Sequence, residues 1–433
     1  MTGSTTFRIS LILFLLVSAA IQSQHDSSQT YSGTFEHGNF STSLILNITG
    51  RPGIPEVLFS SPQQNAFGIP AREVQLTQDS IKFILQSDFY RYQFRGQFIR
   101  ENLRVRLTVD NKSFPFELIR NDIENQSQLE SRDISFRSGE LLLHGTLYLP
   151  KKPNGSAIYL VTSSGNQDRS ASRSEAIFFA EQGYITLHTD KRGTGMSEGN
   201  WQSSSIPELC QDDIRAINYL AEVSNLKYED IGIKGSSQGA SKVPFILSEI
   251  PELAFGIMVS CPASSLLESD LNYWRNRNKE QLQPADLVAA ESLQRSVFEF
   301  IAGELSRKEL DSELGTKQNM PWISAVWIPE LDSVQMDPKL IYTPLPYLGN
   351  LKQPLLLIQG GDDQIIPSFS LKKIQDLTGK MNSNNRYLLL NHADHAMMYT
   401  GPSDFPYWGS LHPDYRTALI EWLDTLNQKP NRN

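Results

Sequence analysis

Through the first third of the chain, hydrophobic positions come in short runs, many alternating with polar ones. "SLILNITG" (43–50), "EVQLTQ" (73–78), "IKFILQS" (81–87), "YRYQFRGQFI" (90–99), "LRVRLTV" (103–109) and "FPFELI" (114–119) are rich in β-branched and aromatic residues, with Gly, Pro, Asn and Asp between them. This texture predicts half-buried strands joined by turns. Residues 25–128 read as one small all-β domain, an antiparallel barrel or sandwich with no catalytic signature of its own. "DIENQSQLES" (122–131) is polar and reads as the linker.

The pattern changes from Asp133. "DISFRS" and "ELLLHGTLYLP" predict a strand pair, and "AIYLVTSS" (157–164), "YITLHT" (184–189), "DIGIKG" (230–235), "AFGIMVSCP" (254–262), "PLLLIQGG" (354–361) and "RYLLLN" (386–391) read as buried strands. Segments of helical spacing separate most of them; in "IPELCQDDIRAINYLAEVS" (206–224) the spacing is kept by Ile214, Ile217, Leu220 and Ala221. Such alternation predicts an α/β fold, a mostly parallel sheet with helices on both faces, over residues 133–427. Residues of about 264–350 break the rhythm. There Leu287, Ala290, Gln294, Val297, Ile301 and Leu305 recur at helical steps, amphipathic apart from Gln294, which predicts a helical cap inserted into the sheet domain. "HPDYRTALIEWLDTL" (412–426) reads as a closing helix.

Composition narrows the classes. Of 433 residues, 39% are hydrophobic and 20% charged, ordinary for a soluble globular protein of two or three domains. A net charge of −9 and no basic cluster along the sequence speak against nucleic acid or an anionic membrane surface as partner. Arg8 followed by "ISLILFLLVSAAIQSQ" reads as a secretory signal peptide, residues 1–24, so the mature chain is expected to be exported, periplasmic or secreted, with no membrane span after signal removal. Cys210 and Cys261 are the only cysteines; export would permit a disulfide, but nothing in the pattern brings them together. No Cys/His cluster has metal-ligand spacing.

One stretch carries chemistry. "IGIKGSSQGASK" (231–242) contains G-x-S-x-G as Gly235, Ser237 and Gly239, after a predicted strand and before helix-compatible residues. A nucleophile elbow holds its serine in strained φ/ψ, so its neighbours must be small, and the helix that follows aims free N–H groups at the site. Ser236 is the rival, but only Ser237 is central between the glycines. Pro244, inside that helix, predicts a kink or a broken ladder. A serine hydroxyl needs a base, and the base an orienting acid, which follow the elbow as acid and then histidine. "LLLIQGGDDQIIP" supplies Asp362 and Asp363, and "LLLNHADHAM" supplies His392 and His395, each pair just past a predicted strand. Spacing favours Asp363, leaving Asp362 a turn residue, and His395, which lies further into its loop. Two backbone donors must form the oxyanion hole: Gln238 N–H, and one from the loop "SSGNQDRS" (163–170), for which Ser164 is the candidate.

"SSGNQDRS", "TDKRGTGMSEG" (189–199), "GSSQG", "GGDDQIIP" and "HADHAM" together resemble the α/β-hydrolase superfamily, in its bacterial esterase and serine aminopeptidase-like branch, over roughly residues 133–427. That branch usually has Gly-Ser-Gly-Pro-x-Asp-Arg after its third strand. Here Ser163 replaces the first Gly and Asn166 the Pro, while Gly165, Asp168 and Arg169 match; Ser236 stands where His commonly precedes the nucleophile. In the similar D-x-R-G-x-G loop, the resemblance implies bracing roles for Asp190 and Arg192.

The resemblance implies a serine hydrolase with Ser237, Asp363 and His395 as triad, an acyl-enzyme intermediate, no metal and no organic cofactor. The expected substrate is a small-molecule ester or peptide. The leading expectation is a carboxylesterase for small or medium acyl groups. An aminopeptidase or amidase would need an acidic clamp for a free amine, for which Glu268, Asp270 and Glu280 are available. A third reading is a non-catalytic binding protein using a β-domain face such as Tyr90, Tyr92 and Phe94. Trp274, Trp322 and Trp327 are candidates either for an acyl pocket or for the cap's own core. Oligomeric state is left open.

Overall fold

The computed structural model describes residues 29–51, 54–87, 89–121 and 129–427. The predicted signal peptide and most of the predicted linker lie outside these residues. No helix among the described residues is long and apolar enough to cross a membrane.

The all-β region is a nine-stranded antiparallel meander: β1 (Gln29–His37), β2 (Phe40–Arg51), β3 (Ile54–Ser61), β4 (Ala66–Pro70), β5 (Arg72–Leu76), β6 (Ser80–Gln86), β7 (Arg91–Ile99), β8 (Asn102–Val109) and β9 (Lys112–Asn121). Its spatial order is β4-β3-β2-β1-β9-β8-β7-β6-β5. The two edges are one extended run bent at Ala71, whose N–H donates to Val57 O, so the sheet closes into a barrel and leaves no long open edge. Alternation decides which side chains go inside: Leu44, Leu46, Phe59, Phe83, Phe94, Leu103 and Leu107 are buried. Tyr92 and Phe94 belong to this core, with Tyr90 packed beside it, so the run read as a possible binding face is mainly a buried one.

The second sheet has the order β10 (Leu129–Ser138), β11 (Leu141–Pro150), β13 (Ile185–Thr189), β12 (Ala157–Leu160), β14 (Ile231–Ser236), β15 (Phe255–Val259), β16 (Leu355–Gly360) and β17 (Arg386–Leu390). It begins at Leu129, inside the stretch read as linker. β11 runs antiparallel to both neighbours, and β13 through β17 are parallel. Helices cover both faces, as the continuous apolar strands require. Leu355 and Leu357 point to the face shared by α2 (Ile206–Ser224), α3 (Gln238–Glu249) and α8 (Ser370–Thr378). Leu356 and Ile358 point to the opposite face, under α1 (Arg173–Glu181) and α9 (Pro413–Asn427). Ser205 and Glu208 form a capping box at the start of α2, and Asn225, in a left-handed conformation, ends it. α3 continues through Pro244 rather than breaking there; the cost is the missing helix donor to Ala240 O.

Between β15 and β16 the chain inserts α4 (Leu266–Asn278), α5 (Pro284–Ala302) and α6 (Arg307–Lys317), and the short α7 (Leu345–Leu348) precedes β16. Trp274 and Trp322 are core residues of this insertion, together with Leu293, Val297 and Leu310, while Trp327 is exposed. Gln294, the odd polar residue of the α5 stripe, is fully buried because its amide bonds both backbone groups of Trp327. Both cysteines are buried free thiols, and burial pushes their pKa values up.

The barrel and the hydrolase sheet interpenetrate. Phe405, Tyr407 and Trp408, from the chain between β17 and α9, complete the barrel core. The Trp408 ring lies edge-on to Phe35, with centroids 5.3 Å apart, and tilted against Tyr92 at 5.7 Å, and Tyr92 Oη donates to Tyr407 O at 2.6 Å.

Candidate active site

Ser237 is the single residue between β14 and α3, the N-cap of that helix, with φ 53° and ψ −122°, a conformation costly for any residue with a side chain. The glycines make it possible. A Cβ on Gly235 would lie 2.4 Å from the backbone of Gly239, and one on Gly239 would press on Val161 O at 3.1 Å. Ser237 N–H donates to Val259 O at 2.9 Å, tying the corner to the next strand. Three other non-glycine residues with positive φ, Ser260, His392 and Met397, follow β15 and β17 at the same sheet edge.

His395 and Asp363 meet there. Nδ1 of His395 lies 3.0 Å from Asp363 Oδ2 and 3.1 Å from Oδ1. The Asp363 side chain is fully buried, and its Oδ1 also accepts from Ile365 N–H and Ile366 N–H. A carboxylate so held fixes the imidazole's orientation and places the proton on Nδ1, leaving Nε2 as a base. Ser260 Oγ donates to His395 O at 2.8 Å and fixes the loop from below. Asp362 and His392 form a separate, exposed pair at 3.7 Å.

Ser237, His395 and Ser164 line one cavity of about 330 Å³. No hydrogen bond joins Ser237 Oγ to His395; such contacts are often loose without substrate. The N–H groups of Ser164 and Gln238 have no acceptor among the described residues. Ser236 lies at the cavity too, but its Oγ accepts from Lys234 Nζ at 2.6 Å. Buried Lys234 is paired with Glu175, which also accepts from Tyr415 Oη. Burial raises the Glu175 carboxyl, but Lys234, Tyr415 and Arg416 outweigh it and hold the group below its usual range.

The loop that carries Ser164 is held at several points. Asp213 Oδ1 accepts from Thr162 N–H, Thr162 Oγ1 and Tyr159 Oη, and Lys242, paired with Asp213 at 2.6 Å, donates to Thr162 Oγ1. Ser163 Oγ donates to Ser236 O. Lys191 Nζ donates to the carbonyls of Ser163 and Gly165. Asp190 accepts from Arg169 and Met196 N–H, and Arg192 pairs with Asp212, so both brace loops.

Several expectations change. None of residues 264–350 lines this cavity, so neither the tryptophans of the insertion nor Glu268, Asp270 and Glu280 face it. Glu268 is spent on a bidentate pair with Arg295, and Asp270 and Glu280 are exposed. The carboxylates at the cavity are Asp168 and Glu175. One wall comes from the barrel: Asn65, in the turn between β3 and β4, lines it with its Oδ1 buried and without a hydrogen-bond partner among the described residues, and the neighbouring Gln63 O accepts from Leu411 N–H. A basic cluster also exists, although none is visible along the sequence. Lys82, Arg95 and Arg106 are directly opposite one another on β6, β7 and β8 and exposed on the barrel. Among the described residues, no group of three or more His, Cys, Asp or Glu is placed to hold a metal ion.

A family model described as X-Pro dipeptidyl-peptidase (S15 family) matches residues 138–397. The chain is 26% identical over 141 residues to the uncharacterized protein PA2218 of Pseudomonas aeruginosa, a match spanning 31% of this chain and 35% of that relative. Among solved structures, the esterase Pf2001 of Pyrococcus furiosus is similar at 19% identity and TM-score 0.44, covering 69% of this chain and 93% of that one. The crystal structure of PA2218 is similar at 17% identity and TM-score 0.40, covering 69% and 94%. The family match takes in the sheet from β11 onward, the elbow, the helical insertion and both loops of the Asp363–His395 pair, well over half of the chain, which therefore belongs to the S15 X-Pro dipeptidyl-peptidase family within the α/β-hydrolase superfamily.

Proposed function

We propose that this chain is an exported serine hydrolase that cleaves esters of small or medium acyl groups through Ser237, His395 and Asp363. The observation that carries this reading is Ser237, held at φ 53° in a cavity it shares with the Asp363-bound His395. His395 Nε2 takes the Ser237 proton as Oγ attacks the substrate carbonyl carbon. The carbonyl π pair moves onto oxygen, where the N–H groups of Ser164 and Gln238 stabilise it. As the tetrahedral intermediate collapses, the bond to the leaving group breaks and His395 returns the proton to it. Water, activated by the same imidazole, then releases the acyl group. The α4–α6 insertion acts as a cap at the rim: Asn272 and Asn276 donate to backbone carbonyls at Gln364 and Ile365, in the Asp363 loop.

The family favours a second reading, cleavage of an amide after an X-Pro pair by the same machinery. The test is turnover of p-nitrophenyl esters of increasing chain length and of X-Pro p-nitroanilides, with fluorophosphonate labelling, by wild type and Ser237→Ala. Labelling and turnover should vanish in the variant, a loss of about 10⁴-fold or more. Wild type that neither labels nor turns over any of these substrates would sink both readings.

A further inference from the structure

Lys191 is nearly fully buried, yet it has no carboxylate partner among the described residues. The charged groups around it are committed elsewhere. Asp190 holds Arg169, Arg192 holds Asp212, Lys242 holds Asp213, and Lys339 holds Asp337. The contacts of its ammonium are Ser163 O at 2.8 Å, Gly165 O, and the face of Trp201 with its centroid 4.3 Å away. An unpaired buried cation is a cost that packing does not explain.

We propose that Lys191 is a positioning residue for the oxyanion hole: by holding the carbonyls of Ser163 and Gly165, it turns the Ser164 N–H toward the oxygen that becomes negative. This rests on the triad reading above. In a trans peptide the C=O and N–H point in opposite directions, so fixing Ser163 O fixes the direction of Ser164 N–H. That N–H has no other acceptor among the described residues. The other holds on this loop act through Thr162 and the Ser163 side chain, whereas the carbonyls of Ser163 and Gly165 are held by Lys191, with Gly165 at φ 69°. The ammonium also polarises the peptide it binds. Positive charge at the carbonyl end and developing negative charge at the N–H end act through one aligned dipole, which needs no reorganisation during attack.

The site has a pH signature. Burial, with repulsion from Lys242 and Lys339 and a smaller opposing pull from Asp213, brings the Lys191 pKa down to about 8. The amine is charged below that pH and loses the charge above it, so turnover should decline on the alkaline side as the proton leaves.

The experiment measures kcat and KM for p-nitrophenyl acetate across neutral to alkaline pH, on the full chain, for wild type, Lys191→Met, Lys191→Arg and Ser237→Ala. Lys191→Met should lower kcat by about 10²-fold with KM little changed. Its thermal midpoint should hold or rise, because an unpaired buried charge has gone; a merely structural lysine would lose stability instead. Lys191→Arg should recover most of kcat and lose the alkaline decline, since guanidinium stays charged. Lys191→Met that keeps kcat within about twofold, or that loses it only in step with stability, overturns the proposal. If Lys191→Arg does not fold, the Lys191→Met data decide alone. Turnover that survives Ser237→Ala overturns the function reading and this inference with it, whereas Ser237-dependent turnover indifferent to Lys191 overturns this inference alone.

Discussion

The barrel and the hydrolase sheet are both well packed, but they bury different things. The barrel interior is aliphatic and aromatic, and the buried polar side chains of its strands are hydroxyls, Thr42, Ser60 and Ser61. The hydrolase sheet buries ions: Lys242 with Asp213, both fully enclosed, Lys234 with Glu175, Asp363 with His395, and unpaired Lys191. Each ion taken out of water costs several kcal/mol before its partner offsets it. A fold that needs only stability can do without them, as the barrel does. Their concentration where the parallel strands end identifies the working edge of the molecule. Yet the two regions are not independent. The hydrolase chain completes the barrel core with Phe405, Tyr407 and Trp408, and the barrel completes the cavity wall with Asn65.

That mutual completion is most easily broken at Trp408. Trp408→Ala leaves a large void among Phe35, Phe40, Tyr92 and Phe405 and should cost about 3–5 kcal/mol. The residue lies on the segment that leads away from His395, so turnover should be lost in the same denaturant transition as barrel structure. The check is urea unfolding followed in parallel by near-UV circular dichroism and ester turnover. A barrel that melts early while turnover persists would mean two separable regions.

Much of this was legible in the sequence, and the misses have physical causes. Period-two alternation and continuous apolar runs foretold an all-β domain, though not whether barrel or sandwich, and the parallel sheet. G-x-S-x-G and the two Asp and His pairs located the elbow and the loops, because each lies beside a strand whose pattern is unmistakable. Lys191 stands out in no sequence pattern, since its partners are backbone carbonyls, which leave no trace in residue identity. Asn65 was invisible for another reason: it reaches the cavity from a different sheet, and only tertiary packing brings the turn of β3 and β4 to Leu411. The cation row escaped because Lys82, Arg95 and Arg106 are separated in sequence and adjacent only through strand register.

The barrel's share in the cavity is tested by Asn65→Gly, chosen because φ 56° suits glycine and would strain alanine. Oδ1 of Asn65 is a buried acceptor with no donor among the described residues. An acyl group that carries an N–H near the scissile bond should use it, at about 1 kcal/mol, or roughly a fivefold rise in KM for the variant. p-Nitrophenyl acetate, which has no such donor, should show no change. Equal KM changes for both substrates would mean that Asn65 shapes the cavity without reading the substrate.

The smallest effect sharpens the contrast in how the two regions treat charge. In the hydrolase sheet most buried ions are paired; on the barrel, Arg95 stands exposed between Lys82 and Arg106, with no ion pair or hydrogen bond to any of the three among the described residues. Like charges directly opposite on neighbouring strands repel, so Arg95→Gln should stabilise the protein by about 0.2–1 kcal/mol at low salt. The gain should shrink as salt rises and the screening length falls below the strand spacing, and ester turnover should not move. The measurement is the urea midpoint of both proteins at low and high ionic strength. A variant less stable than wild type at low salt would mean that the Arg95 stem, packed along its neighbours, contributes more than its charge costs. The barrel would then owe its stability to long side chains on its outer face as well as to the apolar alternation within.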